Sequence, residues 1–101
     1  MTAHAVFITH QTRVGRRADA EGVWNEIMKP AIQANPDHLV YVYTLPEDEP
    51  EVIRAFQLYR TSEAAAAFLR TPEYVAYSTA VEPFLEGPPK VVASPAAWMK
   101  E

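Results

Sequence analysis

The order of strand-like and helix-like segments is the feature that most constrains this chain. Runs rich in β-branched and aromatic residues predict four strands, at residues 5–13, 38–45, 52–61 and 90–94. Apolar residues at helical spacing predict helices over residues 18–35 and 62–84. The order β-α-β-β-α-β, with right-handed crossovers, places both helices on one face of a four-stranded antiparallel sheet. The sequence therefore predicts an α+β, ferredoxin-like fold.

Two prolines are expected to interrupt the helices. Pro30 removes the hydrogen bond to the Glu26 carbonyl and should bend the first helix there. In the second helix, the sequence Thr71-Pro72-Glu73 is typical of an N-cap, an N1 proline and an acidic N2 residue. We therefore expect this helix to stop and restart at Thr71. Thr61 or Ser62 is the expected N-cap of its first segment.

Composition limits the classes of function. The 101 residues predict one domain, over residues 1–101, and the absence of cysteine excludes thiol catalysis and thiolate metal sites. A net charge of −4 argues against nucleic acid or an anionic membrane as a partner, because both require a basic surface. No apolar run approaches the ~20 residues of a membrane-spanning helix, and residues 1–9 lack the pattern of a signal peptide. We therefore expect a cytoplasmic protein.

The predicted strands are apolar on both faces. In the first strand, Val6 and Ile8 alternate with Ala5 and Phe7, and the second and third strands show the same lack of a polar face. The helices can cover only one face, and a large exposed apolar patch on a small protein usually marks an interface. We therefore predict a homodimer packed sheet against sheet, with the tail that carries Trp98 and Met99 reaching onto the partner.

Three segments together resemble the antibiotic-biosynthesis monooxygenase family of dimeric α/β-barrel proteins. They are QTRVG at residues 11–15, QLYRT at residues 57–61 and AAFLRTPEYVAY at residues 66–77. The resemblance spans nearly the whole chain. It implies a small dimeric enzyme that oxidises phenolic or quinol substrates with O₂, without a metal or flavin cofactor. It also implies a pocket between the sheet and the helices of one subunit.

This chain departs from the family at several positions. Where the third strand of the family often carries Glu-x-Trp, this chain has Gln57 and Tyr59, and Phe68 stands where many members have His or Trp. The haem-degrading branch has Asn, Trp and His at the places of Ile8, Phe68 and Ser78. Because these departures remove the groups that bind or shield haem, haem degradation is disfavoured.

His10 is the candidate catalytic residue. It shares a strand face with Val6 and Ile8, and an imidazole with an ordinary pKa near 6.5 suits a general base that takes a phenolic proton. The alternative is a half-buried histidine that hydrogen-bonds to the backbone. His4 lies six residues away, ~20 Å along the strand, so the two histidines cannot ligate one metal ion.

Aromatic residues at helical spacing could form a chamber for a planar substrate. The candidate substrate-binding residues are Ile8, Trp24, Gln57, Phe68, Tyr74 and Tyr77. Their alternative role is ordinary core packing. The sequence thus predicts a cofactor-independent monooxygenase acting on a small aromatic molecule, with a non-catalytic dimeric binder of a hydrophobic metabolite as the alternative. An RNA-recognition domain is excluded by the missing motif and the acidic charge.

Overall fold

The computed structural model describes residues 2–100; Met1 and Glu101, the ends of the predicted domain, lie outside the described residues. Four strands form one antiparallel sheet in the order β2-β3-β1-β4. They are β1 (His4–Gln11), β2 (His38–Thr44), β3 (Val52–Tyr59) and β4 (Lys90–Pro95). The predicted ferredoxin-like α+β fold is confirmed. No helix among residues 2–100 is long and apolar enough to cross a bilayer.

The two helical stretches are both broken. The first consists of α1 (Arg17–Val23), a π-helical turn (Trp24–Met28) and α2 (Lys29–Ala34). The second consists of α3 (Ser62–Phe68), α4 (Pro72–Val81) and a short 3₁₀ turn (Glu82–Phe84). These breaks lie at or next to the positions that the two prolines predict.

The interruption before Pro30 takes the form of a π-helical turn rather than a simple bend. The Lys29 N–H donates to the Trp24 carbonyl, five residues back, so the helix already has π-helical rather than α-helical hydrogen bonding in the turn before Pro30. Pro30 then occupies the first turn of α2, which is the part of a helix that tolerates proline best. The widened turn thus lets one helical stretch continue through a proline.

Two threonines cap the segments of the second stretch. The Thr61 hydroxyl accepts a hydrogen bond from the Ala64 N–H at 3.0 Å, which makes Thr61 rather than Ser62 the N-cap of α3. The Thr71 hydroxyl accepts from the Tyr74 N–H at 3.2 Å and donates to the Phe68 carbonyl at 2.8 Å. Thr71 therefore joins the end of α3 to the start of α4 with one side chain.

The register of β1 and β3 decides which side chains face the helices. The helix-facing pairs are His4 with Tyr59, Val6 with Gln57, Ile8 with Ala55, and His10 with Ile53. In β2 the register shifts between His38 and Val40, so His38 lies opposite Tyr59 and on the same face as Tyr41 and Tyr43. Strict alternation from Tyr41 would instead have put Leu39 on that face; Leu39 is largely exposed.

The opposite face of the sheet is apolar and open. Phe7 lies on the inner strand β1 and is 48% exposed. Val42 lies on the edge strand β2 and is 47% exposed. The Phe7 ring packs against that of Phe56, with centroids 5.2 Å apart. The expectation that both faces of the strands are apolar is confirmed, and we call the set Phe7, Val40, Val42, Phe56 and Val92 the outer face.

Replacing Thr71 tests the joint between α3 and α4. We expect Thr71→Ala to lower the free energy of unfolding by about 1 kcal/mol, because the Tyr74 N–H loses its acceptor. Thr71→Ser keeps the hydroxyl and serves as the matched control. Urea denaturation measures both variants, and equal stability of the two would show that the hydroxyl caps nothing.

Candidate active site

A cavity of about 290 Å³ lies between the helix-facing side of the sheet and helices α3 and α4. Its floor includes residues of β1, β3 and β4, and its walls include the aromatic side chains of α3 and α4. Six residues predicted from the sequence line it: Ile8, His10, Gln57, Phe68, Tyr74 and Tyr77. The chain thus brings the predicted catalytic histidine and most of the predicted substrate-binding residues to one space.

Trp24 does not line the cavity. Its indole stacks on the Tyr43 ring, with centroids 4.2 Å apart, and its Nε1–H donates a long hydrogen bond of 3.4 Å to the Tyr41 hydroxyl. Tyr41 does line the cavity. Trp24 therefore lies behind the wall and supports Tyr41, because its ring packs over β2, the edge strand, whereas the floor of the cavity includes β1, β3 and β4.

His10 is almost completely buried, with 8% of its surface exposed. Its Nδ1 atom is shielded from solvent and has no hydrogen-bond partner among the described residues. The backbone hydrogen bond that would explain a structural histidine is therefore missing at Nδ1. A buried polar atom without a partner is uncommon in folded proteins, and this one belongs to a residue that lines a cavity.

Burial also sets the charge of His10. Removal of the ring from water lowers the pKa of His10 below 6.5, since the desolvated cation is disfavoured. The imidazole is therefore neutral at pH 7 and holds one lone pair that can accept a proton. No hydrogen bond at Nδ1 fixes which nitrogen carries the hydrogen, so the ring can present either an acceptor or a donor to an occupant.

A hydrogen-bonded cluster of Asn35, His38 and Gln57 adjoins the cavity and was not predicted from the sequence. Nε2 of His38 lies 2.9 Å from Oε1 of Gln57, and Nδ1 of His38 lies 2.9 Å from Nδ2 of Asn35. Desolvation lowers the pKa of His38, although the bond to Gln57 and the nearby Asp37 charge oppose the effect. This cluster could not be predicted from the sequence, because only the register shift in β2 turns His38 toward Gln57.

No Asp, Glu, Lys or Arg side chain lines the cavity in the part of the chain that is described. Burial raises the pKa of Tyr41 to about 12, and it also raises the pKa values of Tyr59, Tyr74 and Tyr77. These phenols stay protonated at neutral pH. The cavity therefore suits an uncharged, largely apolar molecule with a small number of polar groups.

The ring of His10 also borders a second space. A cleft of about 480 Å³ shares His10, Tyr74 and Tyr77 with the cavity and extends toward Arg13 and the loop at residues 86–89. His10 thus stands where the inner cavity meets an outer cleft.

The buried His10 and the half-buried His38 make stability depend on pH. Both pKa values are lower in the folded protein than the 6.5 of the unfolded chain, so the unfolded chain binds more protons below pH 6.5. We expect the contribution of the two neutral histidines to the free energy of unfolding to be fully present above pH 6.5. It should be lost as the pH falls through their pKa values in the folded protein. Urea denaturation between about pH 7.5 and 5.5 should show a steeper loss for the wild type than for His10→Gln. Equal slopes would contradict the burial argument.

Comparison with solved structures identifies proteins of the same fold. A candidate antibiotic biosynthesis monooxygenase from Caulobacter crescentus CB15 has a TM-score of 0.88 at 23% identity, covering 96% of this chain and 92% of that one. Another from Nitrosomonas europaea has a TM-score of 0.86 at 16% identity, covering 95% and 91%. No family model and no curated protein matches. The chain therefore has the fold of solved proteins described as candidates for the family that its motifs resemble.

Proposed function

We propose that this protein belongs to the antibiotic-biosynthesis monooxygenase family and oxidises a small phenolic or quinol-type aromatic molecule with O₂, without a cofactor. The observation that carries the proposal is His10, a buried, neutral imidazole whose Nδ1 has no partner, at the wall of an uncharged aromatic cavity. The likeness to the solved structures supports the proposal through the fold alone.

The walls suit a flat ring. Phe68, Tyr74 and Tyr77 form a row in which neighbouring ring centroids are 6.1 and 6.3 Å apart. Such a row offers faces and edges to a planar substrate, and burying apolar surface yields about 25 cal/mol per Å². Binding energy would thus come from the rings, while orientation would come from the polar groups His10 and Gln57.

The chemistry requires no external electron donor. His10 takes the proton of the substrate hydroxyl, and the phenolate passes one electron to O₂. The resulting radical and superoxide combine, which forms a C–O bond at the ring carbon para to the oxygen, and His10 returns its proton to the peroxide. Loss of the ring hydrogen and cleavage of the O–O bond release water and leave a quinone. The protein contributes positioning, proton transfer and exclusion of water.

The first step is uphill for His10 acting alone. A phenol has a pKa near 10, and the pKa of His10 lies below 6.5. The gap of more than about 3.5 units corresponds to roughly 5 kcal/mol, which is compatible with enzymatic rates. It also means that hydrogen-bond donors to the substrate anion would increase the rate substantially.

A second function has an observation in its favour. Gln57 stands where the family often has a Glu, and Phe68 stands where many members have a His or Trp. A non-catalytic binder of a hydrophobic metabolite is therefore the alternative, and it would use the same cavity.

We further propose that the protein is a cytoplasmic homodimer joined through the outer face. That face exposes Phe7, Val42 and Val92 next to the ring of Phe56, and burial of a large apolar side chain contributes roughly 1.5–3 kcal/mol. Trp98 is 81% exposed and follows β4 at the edge of the same sheet. A second copy would cover both features.

Oxygen uptake tests the catalytic role of His10. We expect His10→Gln to lower the rate at least 100-fold with a panel of phenols and quinols, because general acid–base catalysis typically contributes that much. Gln11→Ala is the control, since Gln11 is the next residue of β1 and is exposed. Equal rates for His10→Gln and the wild type would remove His10 from the mechanism. Binding without oxygen uptake by the wild type would favour the alternative function.

Light scattering tests the dimer. We expect the wild type to have twice the 11.3 kDa mass of one chain, and we expect Phe7→Glu to shift it toward the monomer by placing a charge on the outer face. Val75→Glu is the control, because Val75 is exposed on α4, away from the sheet. A wild-type particle of 11.3 kDa at micromolar concentration would contradict the dimer.

A further inference from the structure

We infer that Asn35 and His38 are positioning residues that aim the amide N–H groups of Gln57 at an oxygen acceptor on the molecule in the cavity. The inference rests on the cavity being the proposed binding site, but it does not require turnover. It adds a specificity to that site, because the bound molecule must carry a carbonyl or comparable oxygen where it meets Gln57.

The direction of each hydrogen bond follows from the first one. The Asp37 N–H donates to Oδ1 of Asn35 at 3.2 Å, so the NH₂ group of Asn35 is the one that faces His38. An amide NH₂ group only donates, which makes Nδ1 of His38 an acceptor. The neutral imidazole then carries its hydrogen on Nε2 and donates it to Oε1 of Gln57 at 2.9 Å.

Gln57 is left with one free function. Its oxygen is occupied by His38, so the Nε2 group, with two N–H donors, is the end available to an occupant. The residue is 4% exposed and lines the cavity, so bulk water competes little with an occupant for this amide. A ligand oxygen would satisfy that donor, whereas a purely hydrocarbon ligand would leave it unpaired.

The His38 ring is held on several sides. Its centroid lies 4.3 Å from that of Tyr59 and 4.6 Å from that of Phe68, which meets it edge-on. Tyr41 lies 5.9 Å away. With two hydrogen bonds in its plane and aromatic rings around it, the imidazole has little freedom to turn. It can therefore hold the Gln57 amide in one orientation.

Gln57 and His10 would contact different parts of a bound molecule. Gln57 pairs with Val6 across the β1–β3 ladder, and Val6 is four positions from His10 on β1. The two backbone positions are thus roughly 13 Å apart along the strands. The oxygen that Gln57 recognises is therefore a second polar group of the ligand, separate from the group that meets His10.

Binding of a matched pair of ligands under nitrogen tests the inference without turnover. The pair is 1-tetralone, which has a ketone oxygen, and tetralin, which has the same two rings without it. We expect Gln57→Met to reduce the preference for 1-tetralone over tetralin about tenfold, because the donor is lost. We expect His38→Phe to reduce it at least threefold although Gln57 is still present. Gln33→Met makes the same change at an exposed position of α2 and should alter nothing.

The infrared carbonyl frequency of bound 1-tetralone gives a second readout. A hydrogen bond from Gln57 should lower this frequency in the wild type, and both His38→Phe and Asn35→Ala should raise it toward its value in an apolar solvent. Asn35→Ala keeps the test decisive if His38→Phe fails to fold, because Asn35 lies in the loop before β2. An effect of Gln57→Met without any effect of His38→Phe or Asn35→Ala would overturn the positioning role. Failure of the wild type to bind 1-tetralone would overturn the whole inference, and loss of oxygen uptake alone would not.

Discussion

The antiparallel register between β1 and β3 is the constraint on which the site depends. Side chains alternate between the two faces of a strand, so a slip of β1 by one residue against β3 would put His10 and Gln57 on opposite faces of the sheet. The register is held by the apolar residues that share their face, because Val6 and Ile53 belong to the buried core. The packing of the core and the placement of the polar groups therefore depend on the same register of β1 against β3.

The cavity exists because the helices cover the sheet unevenly. Helical residues pack over β1, β2 and β3, whereas Val91 and Ala93 of β4 remain exposed and form part of the cavity lining. The break at Thr71 separates α3 from α4, and Phe68 and Tyr74 on either side of it both reach the space. Burial in the cavity wall lowers the pKa of His10 by desolvation. The residue is therefore a neutral hydrogen-bond acceptor, but it is also a weaker base.

The side chains of Gln57 and His10 differ in how firmly they are held. His38 and Asn35 hold Gln57 through consecutive hydrogen bonds, whereas the Nδ1 atom of His10 has no partner among the described residues. A fixed donor favours recognition of one ligand atom, and an imidazole free to change tautomer favours proton transfer. On this difference we base the proposal that Gln57 recognises a ligand atom and that His10 transfers a proton.

The sequence by itself determined the order of the elements, the cap at Thr71, and the face shared by His10, Ile8 and Val6, because these depend on local preferences and on a regular period of two. Only the tertiary structure decided that His38 meets Gln57 and that Trp24 lies behind Tyr41. The first depends on a register shift between paired strands, and the second on the contacts that Trp24 makes with two side chains of β2. Neither follows from the regular periods from which side-chain directions are predicted, because both depend on which segments meet in three dimensions.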